Sequence, residues 1–201
     1  MPIILTVDAI ERAAALIRRG LVVAYPTDTL YGLAVDPRDR DAVRRLFALK
    51  GRPETSALTL IAADFAQAGA AMHMSPLAHR LAMRWWPGPL TIVDAAAPGL
   101  APEALAGGLT VGVRVPASST ATALAAAAGF CVTATSANRS GASAASTAEQ
   151  VAAALPDVDA ILDADAAPGG PPSTIVHAAG DRPILIRDGA IAWDRVLESL
   201  Q

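Results

Sequence analysis

Short apolar runs, each closed by a glycine, a proline or a polar turn, recur along the whole chain: Leu21–Tyr25, Tyr31–Val35, Thr59–Ala62, Leu90–Val93, Thr110–Val115, Phe130–Thr135, Ala160–Leu162, Thr174–Val176 and Ile184–Ile186. Runs this short, bounded by turn residues, read as buried strands and not as long helices. Helical stretches separate them. Asp8 and Glu11 make a capping-box-like start to a helix that Gly20 ends, and Asp41 can cap a second helix running to about Leu49. Ser75-Pro76 supplies an N-cap and a first-turn proline for a helix reaching Trp85-Trp86. The alanine-rich stretch Thr120–Ala128 favours helix until Gly129, Ser146-x-x-Glu149 caps another, and an amphipathic helix closes the chain after Ala190. Strands and helices that alternate without a strict βαβ period predict an α/β protein: a twisted mixed β-sheet with packed helices. No internal repeat is present, and the Pro/Gly-rich segment between Ala166 and Pro172 reads as a loop.

A length of 201 residues fits one domain, 1–201, with a sizeable core. The formal charge of −3 argues against a dedicated polynucleotide binder, which would carry a broad basic face. Cys131 stands alone in the apolar run Phe130-Cys131-Val132 and reads as a buried thiol with no bridge to make. The first residues lack the basic and apolar regions of a secretion signal, and no apolar segment approaches the roughly 20 residues of a membrane span, so a cytoplasmic protein without membrane contact is expected.

Polar residues cluster at the ends of these elements, in Thr27-Asp28-Thr29, Lys50-Gly51-Arg52 and Ser136-Ala137-Asn138. Lys50 is the only lysine among sixteen Lys and Arg residues, which suggests a position that needs a compact point charge; the end of a helix would also suit it through the helix dipole. Hydroxyls and an amide facing one ammonium and one guanidinium could cradle a ligand with phosphate and amino-acid-like groups. Taken singly, Thr-Asp-Thr is a turn and Ser-x-Asn a cap. No Walker loop, no Gly-x-Gly-x-x-Gly and no nucleophile elbow occurs, so phosphate would have to be held by side chains. His73, His79 and His177 share no metal-ligand spacing with each other or with Cys131, so no protein-bound structural metal is expected. Trp85-Trp86-Pro87-Gly88-Pro89 reads as core plus a rigid turn, because a base-stacking platform would interleave more basic residues.

Seven segments occur together in a characteristic order: Tyr25-Pro26-Thr27-Asp28-Thr29-Leu30-Tyr31-Gly32-Leu33, Lys50-Gly51-Arg52-Pro53, Pro87-Gly88-Pro89-Leu90-Thr91, Val113-Arg114-Val115-Pro116, Thr135-Ser136-Ala137-Asn138-Arg139-Ser140-Gly141, Pro172-Ser173-Thr174-Ile175-Val176 and Ile186-Arg187-Asp188-Gly189-Ala190-Ile191. In these motifs the chain resembles the YrdC/Sua5 family, and within it the short single-domain threonylcarbamoyl-AMP synthases. The resemblance implies a YrdC-like fold around a large concave cavity. It implies a nucleotidyltransferase that joins L-threonine, bicarbonate and ATP, with Mg²⁺, into threonylcarbamoyl-adenylate and pyrophosphate for t6A modification of tRNA. It also implies a downstream tRNA threonylcarbamoyl transferase as partner and a weak tRNA or RNA contact. Carried over by motif position, the catalytic tetrad falls on Lys50, Arg52, Ser136 and Asn138. Threonine contacts fall on Thr29, Arg114, Ser136 and Ser173, and ATP contacts on Lys50, Arg52, Ser56, Thr110, Asn138, Ser146 and Arg187. The alternatives are an RNA-binding module and a YrdC-like paralogue with another carbamoyl or adenylate substrate.

Overall fold

The computed structural model describes residues 1–51, 55–164, 167 and 169–201. In chain order the first elements are β1 (Ile3–Thr6), α1 (Ile10–Arg18), β2 (Val23–Pro26), β3 (Tyr31–Ala34), α2 (Arg40–Lys50) and β4 (Thr59–Ile61). There follow α3 (Phe65–Ala71), β5 (Met72–His73), α4 (Pro76–Trp85), β6 (Leu90–Ala96), β7 (Thr110–Arg114) and α5 (Ser119–Ala128). The rest are β8 (Val132–Thr133), β9 (Thr135–Ser136), α6 (Ala148–Ala154), β10 (Ala160–Asp163), β11 (Thr174–His177), β12 (Ile184–Arg187) and α7 (Trp193–Glu198).

The strands form two mixed sheets. One runs in the order β1-β10-β2-β3-β9 and the other β12-β11-β6-β7-β4-β8, with β5 paired to β6. The α/β expectation holds, with two sheets in place of the one expected. The division falls inside the run read as one strand, Phe130–Thr135. Its residues split into two-residue strands that belong to different sheets: β8 pairs with β4 through Leu60 and Thr133, and β9 pairs with β3 through Leu33 and Thr135. Buried Thr133 fastens this seam. Its hydroxyl donates to Leu33 O (2.8 Å) and accepts from Val35 N (2.9 Å), while its carbonyl accepts from the buried Tyr25 hydroxyl (3.0 Å). Burial raises the Tyr25 pKa, so the phenol stays a donor.

Capping residues decide where the helices hold the chain. Asp39, not Asp41, caps α2, accepting from Asp41 N and Ala42 N, and Gly51 ends it in the left-handed region at φ 59°. Thr147 and not Ser146 caps α6, through Gln150 N. Ser75 caps α4 ahead of Pro76 as expected. Three elements escaped the pattern reading, β1 at the start, α3 with its Asp64 cap and the two-residue β5. Ala166 and Pro168 of the expected loop lie outside the described residues.

Three apolar clusters hold the layers. Leu33, Leu46, Phe47 and Ile161 join α2 and α6 to the first sheet; Leu81, Leu90, Ile92 and Val113 join α4 to the second; and Ile17, Tyr25, Ile61 and Leu124 place α1 and α5 across both. Each such buried side chain contributes about 1.5–3 kcal/mol. An ionic tie fixes α2 to the 101–107 segment: the buried Glu103 carboxylate accepts from Arg40 (2.8 Å) and Arg44 (2.7 Å). The Arg40 hydrogen bond first, then a backbone hydrogen bond and the charges of Arg40 and Arg44, pull the Glu103 pKa from 4.5 to about 2. A carboxyl depressed on folding adds stability above its unfolded pKa and loses it as pH falls towards the folded one. Glu103→Gln is therefore expected to melt below wild type at pH 7, the gap closing as pH falls from about 4.5 to about 2. Thermal melts across that range check this.

Candidate active site

A cavity of about 400 Å³ lies between the two sheets. Neighbouring strands of the larger sheet each contribute to its wall: Arg187 from β12, Ile175 from β11, Thr91 from β6, Arg114 from β7 and Thr59 from β4. The smaller sheet supplies the 27–32 turn and Thr135-Ser136 of β9. The seam is thus part of the cavity wall.

The 27–30 turn is built by its own side chain. The Thr27 hydroxyl donates to Leu30 O (2.7 Å) and accepts from Thr29 N (3.2 Å) and Leu30 N (3.3 Å), which leaves Thr29 at the cavity with its hydroxyl 3.2 Å from that of Thr27. Arg114, at the end of β7, donates Nη1 to Asp28 Oδ1 at 2.5 Å. On the opposite side Arg187 donates to Ser173 O (2.7 Å from Nη2) and Ser173 Oγ (3.1 Å), and Ser173 Oγ lies 2.8 Å from Thr91 Oγ1. Burial first, and then the charge of Arg114, lower the Arg187 pKa, so the two guanidiniums share one electrostatic environment. Two cations and eight hydroxyl-bearing residues, Thr29, Thr59, Thr91, Ser136 and Ser173 among them, line a half-enclosed space, an arrangement suited to an anionic, hydroxyl-bearing ligand.

Lys50 ends α2 and is 3 % exposed. Its ammonium donates to Ser136 O, to Asn138 O (2.8 Å) and to Asn138 Oδ1 (3.2 Å), and its carbonyl accepts from Ser140 N (2.8 Å). Ser136 Oγ donates to Asn138 Oδ1 (2.6 Å), and Asn138 Nδ2 donates to Ala142 O (2.5 Å). One charge therefore gathers the whole Ser-x-Asn loop. Lys50 and Asn138 stand behind Ser136, which alone of these three lines the cavity.

Of the site residues expected from sequence, Thr29, Arg114, Ser136, Ser173 and Arg187 meet in this cavity. Ser56 sits beside Ala57, which lines it. Thr110 opens β7, paired with Ala95, and stands four residues before Arg114, a strand distance of about 13 Å. Ser146 turns its N–H and hydroxyl to Gln150 Oε1 (2.8 and 3.1 Å) ahead of α6; neither it nor Thr110 lines the cavity. Arg52 lies outside the described residues. Sequence reasoning missed Thr59 and Thr91 as wall residues, and Asp28 as the partner of Arg114. A hydroxyl inside the apolar run Leu90-Thr91-Ile92-Val93 was the available signal for Thr91. Cys131 is buried, and burial pushes its thiol up to about 12, which keeps it protonated at neutral pH.

Comparison with known proteins gives this geometry a lineage. The profile of the Sua5_yciO_yrdC family, described as "Telomere recombination", matches residues 15–189. The threonylcarbamoyl-AMP synthase of Bacillus subtilis (strain 168) is 37% identical over 190 residues, 93% of this chain and 55% of that protein. That of Idiomarina loihiensis is 35% identical over 187 residues, 91% of this chain and 99% of that protein. The crystal structure of P. abyssi Sua5 complexed with L-threonine superposes with a TM-score of 0.92 at 32% identity, covering 100% of this chain and 61% of that one. The chain thus spans little more than half of the B. subtilis relative and 99% of the I. loihiensis one. With its cavity, its seven ordered motifs and these matches, the chain belongs to the Sua5/YciO/YrdC family.

Proposed function

We propose that this protein is an L-threonylcarbamoyladenylate synthase. The observation that carries the reading is the meeting of Thr29, Arg114, Ser136, Ser173 and Arg187, from five distant segments, in one cavity backed by the Lys50 and Asn138 loop. The names of the relatives and the L-threonine complex of the P. abyssi protein support it.

The threonine nitrogen bonds to the carbon of bicarbonate with loss of water, giving a carbamate. A carbamate oxygen then attacks the α-phosphorus of ATP, and the bond to pyrophosphate breaks. Both partners are anions, so neutralising charge is the main task of the protein. Arg114 offers a fork for the threonine carboxylate, Thr29, Ser136 and Ser173 offer partners for its remaining polar groups, and Arg187 faces phosphate. Lys50 acts from behind, holding Ser136 and Asn138 in the shape that the carbamate end requires. Mg²⁺ would arrive on the ATP phosphates, where it offsets their charge. Among the described residues no group of three or more His, Cys, Asp or Glu could hold a metal ion. The product is an activated mixed anhydride, and a tRNA-directed transferase would consume it.

Direct RNA recognition is the weaker reading. Arg38, Arg40, Arg44 and Arg45, the densest basic group, are paired with Asp36, Glu103 and Asp159. Little free charge is left there for a phosphate backbone. Among the described residues no helix is long and apolar enough to cross a membrane.

Purified protein given ATP, Mg²⁺, bicarbonate and L-threonine is expected to yield threonylcarbamoyl-AMP by mass spectrometry, with pyrophosphate in equal amount. With 2-aminobutyrate, which lacks the hydroxyl, release is expected to fall at least about 100-fold, because the hydroxyl-lined wall would be left unpaired. No adenylate product would overturn the assignment; equal rates would remove the hydroxyl specificity.

A further inference from the structure

Asp28 is the one carboxylate in contact with the cation groups of the cavity among the described residues, and it makes that contact from outside the cavity wall. Its Oδ1 accepts from Arg114 Nη1 at 2.5 Å, and its Oδ2 lies 3.4 Å from Ala117 N, so the carboxylate bridges the 27–30 turn to the segment after β7. Both side chains are largely out of solvent, at 8 % exposure for Arg114 and 16 % for Asp28. Behind them lies a second, more open hollow of about 310 Å³, lined by Thr27, Asp28 and Ser118 among others. The Arg114–Asp28 pair thus joins the two spaces, with Arg114 at the cavity, where Arg187 also lies, and Asp28 at the hollow.

Resting on the synthase reading, we propose that Asp28 is the positioning residue for substrate carboxylate recognition: it pins one edge of the Arg114 guanidinium and turns the other towards the cavity. A guanidinium is planar, so engaging Nη1 fixes the plane and leaves the Nε–Nη2 edge for a bidentate carboxylate. No described residue engages that second edge. Without Asp28, Arg114 loses its carboxylate partner beside a second guanidinium, and the fork is no longer held as a receptor. A substrate carboxylate on the opposite edge does not compete with Asp28 for the same N–H. The same geometry makes the preference chemical: it acts on a charged carboxylate and not on an amide in its place.

The test is isothermal titration of wild type, Asp28→Asn and Asp28→Glu with L-threonine, with L-threoninamide and with ATP, alongside thermal melts. Asp28→Asn is expected to weaken L-threonine at least about tenfold while L-threoninamide and ATP stay within about twofold, and Asp28→Glu is expected to recover part of the loss. In turnover the defect is expected as a raised KM for threonine with kcat changed far less. Asp28→Asn binding threonine as well as or better than wild type overturns the proposal, and so does an equal loss of all three ligands, which would mark a structural role. A wild type that binds ATP but no threonine overturns the synthase reading itself.

Discussion

Lys50→Met is expected to lower pyrophosphate release about 10²–10³-fold and the melting temperature by about 5–12 °C. Methionine keeps the approximate volume of the side chain but removes three N–H donors from a site that is 3 % exposed. Asn138 O then faces a thioether, and a buried acceptor that loses its donor costs about 1–3 kcal/mol, while Ser136 O keeps only the Asn138 N–H (3.0 Å). The Asn138 amide loses a bond that keeps Oδ1 turned to Ser136 Oγ, so the Ser-x-Asn loop relaxes at the cavity wall. The activity loss therefore belongs mainly to kcat. Lys50→Arg keeps the charge, but its flat fork cannot direct donors at three oxygens gathered around one point, and an intermediate phenotype is expected. Melts and steady-state rates decide it: an unchanged melting temperature with lost activity would mean that Lys50 works on substrate and not on the loop.

Gly189→Ala is expected to be as damaging, for a steric reason. A Cβ there would stand 2.3 Å from Pro172 O, 2.6 Å from Ser173 C and 2.6 Å from Thr174 N. All three are backbone atoms, so no side chain can swing aside. The segment is also clamped, with Ala190 N donating to Pro172 O (2.9 Å) and Ile191 N to Thr174 Oγ1 (3.0 Å). Overpacking of this kind costs about 3 kcal/mol, or about 6–12 °C of melting temperature. Relief comes only by moving Ser173, and Arg187 is tied to its carbonyl, so threonine and nucleotide affinity should fall together. Gly180→Ala, with nothing within 4 Å of the added carbon, is the control and should melt like wild type.

Much of the secondary structure was legible because its signals are local. Ser75-Pro76 states a helix start through one hydroxyl and one fixed φ, and Gly129 states a helix end at φ 82°. Where two polar residues compete for the same cap, spacing alone misleads: it points to Asp41 and Ser146, whereas Asp39 and Thr147 hold the bonds. The 130–135 run shows the deeper limit. Its composition is that of one strand, and only long-range pairing with β3 and β4 splits it. The site divides in the same way. Motif order located the cavity-lining Arg114, Ser173 and Arg187, because each hangs on a strand end. The direction in which a side chain is spent was not legible: Lys50 and Asp28 both stood out as polar, yet their partners lie more than eighty positions away. The order of residues carries no record of that pairing.

The seam at Thr133 has a consequence for biosynthesis. Its partners, Leu33 and Leu60, are made long before it, so until residues 132–136 emerge both future walls are joined through side chains and not by a shared backbone segment. Closing loops of that length is slow, and ligand binding can begin only after the nascent polypeptide has grown past Ser136 and on to Arg187. Until then the cavity has no complete wall, and a ligand cannot assist the early stages of folding.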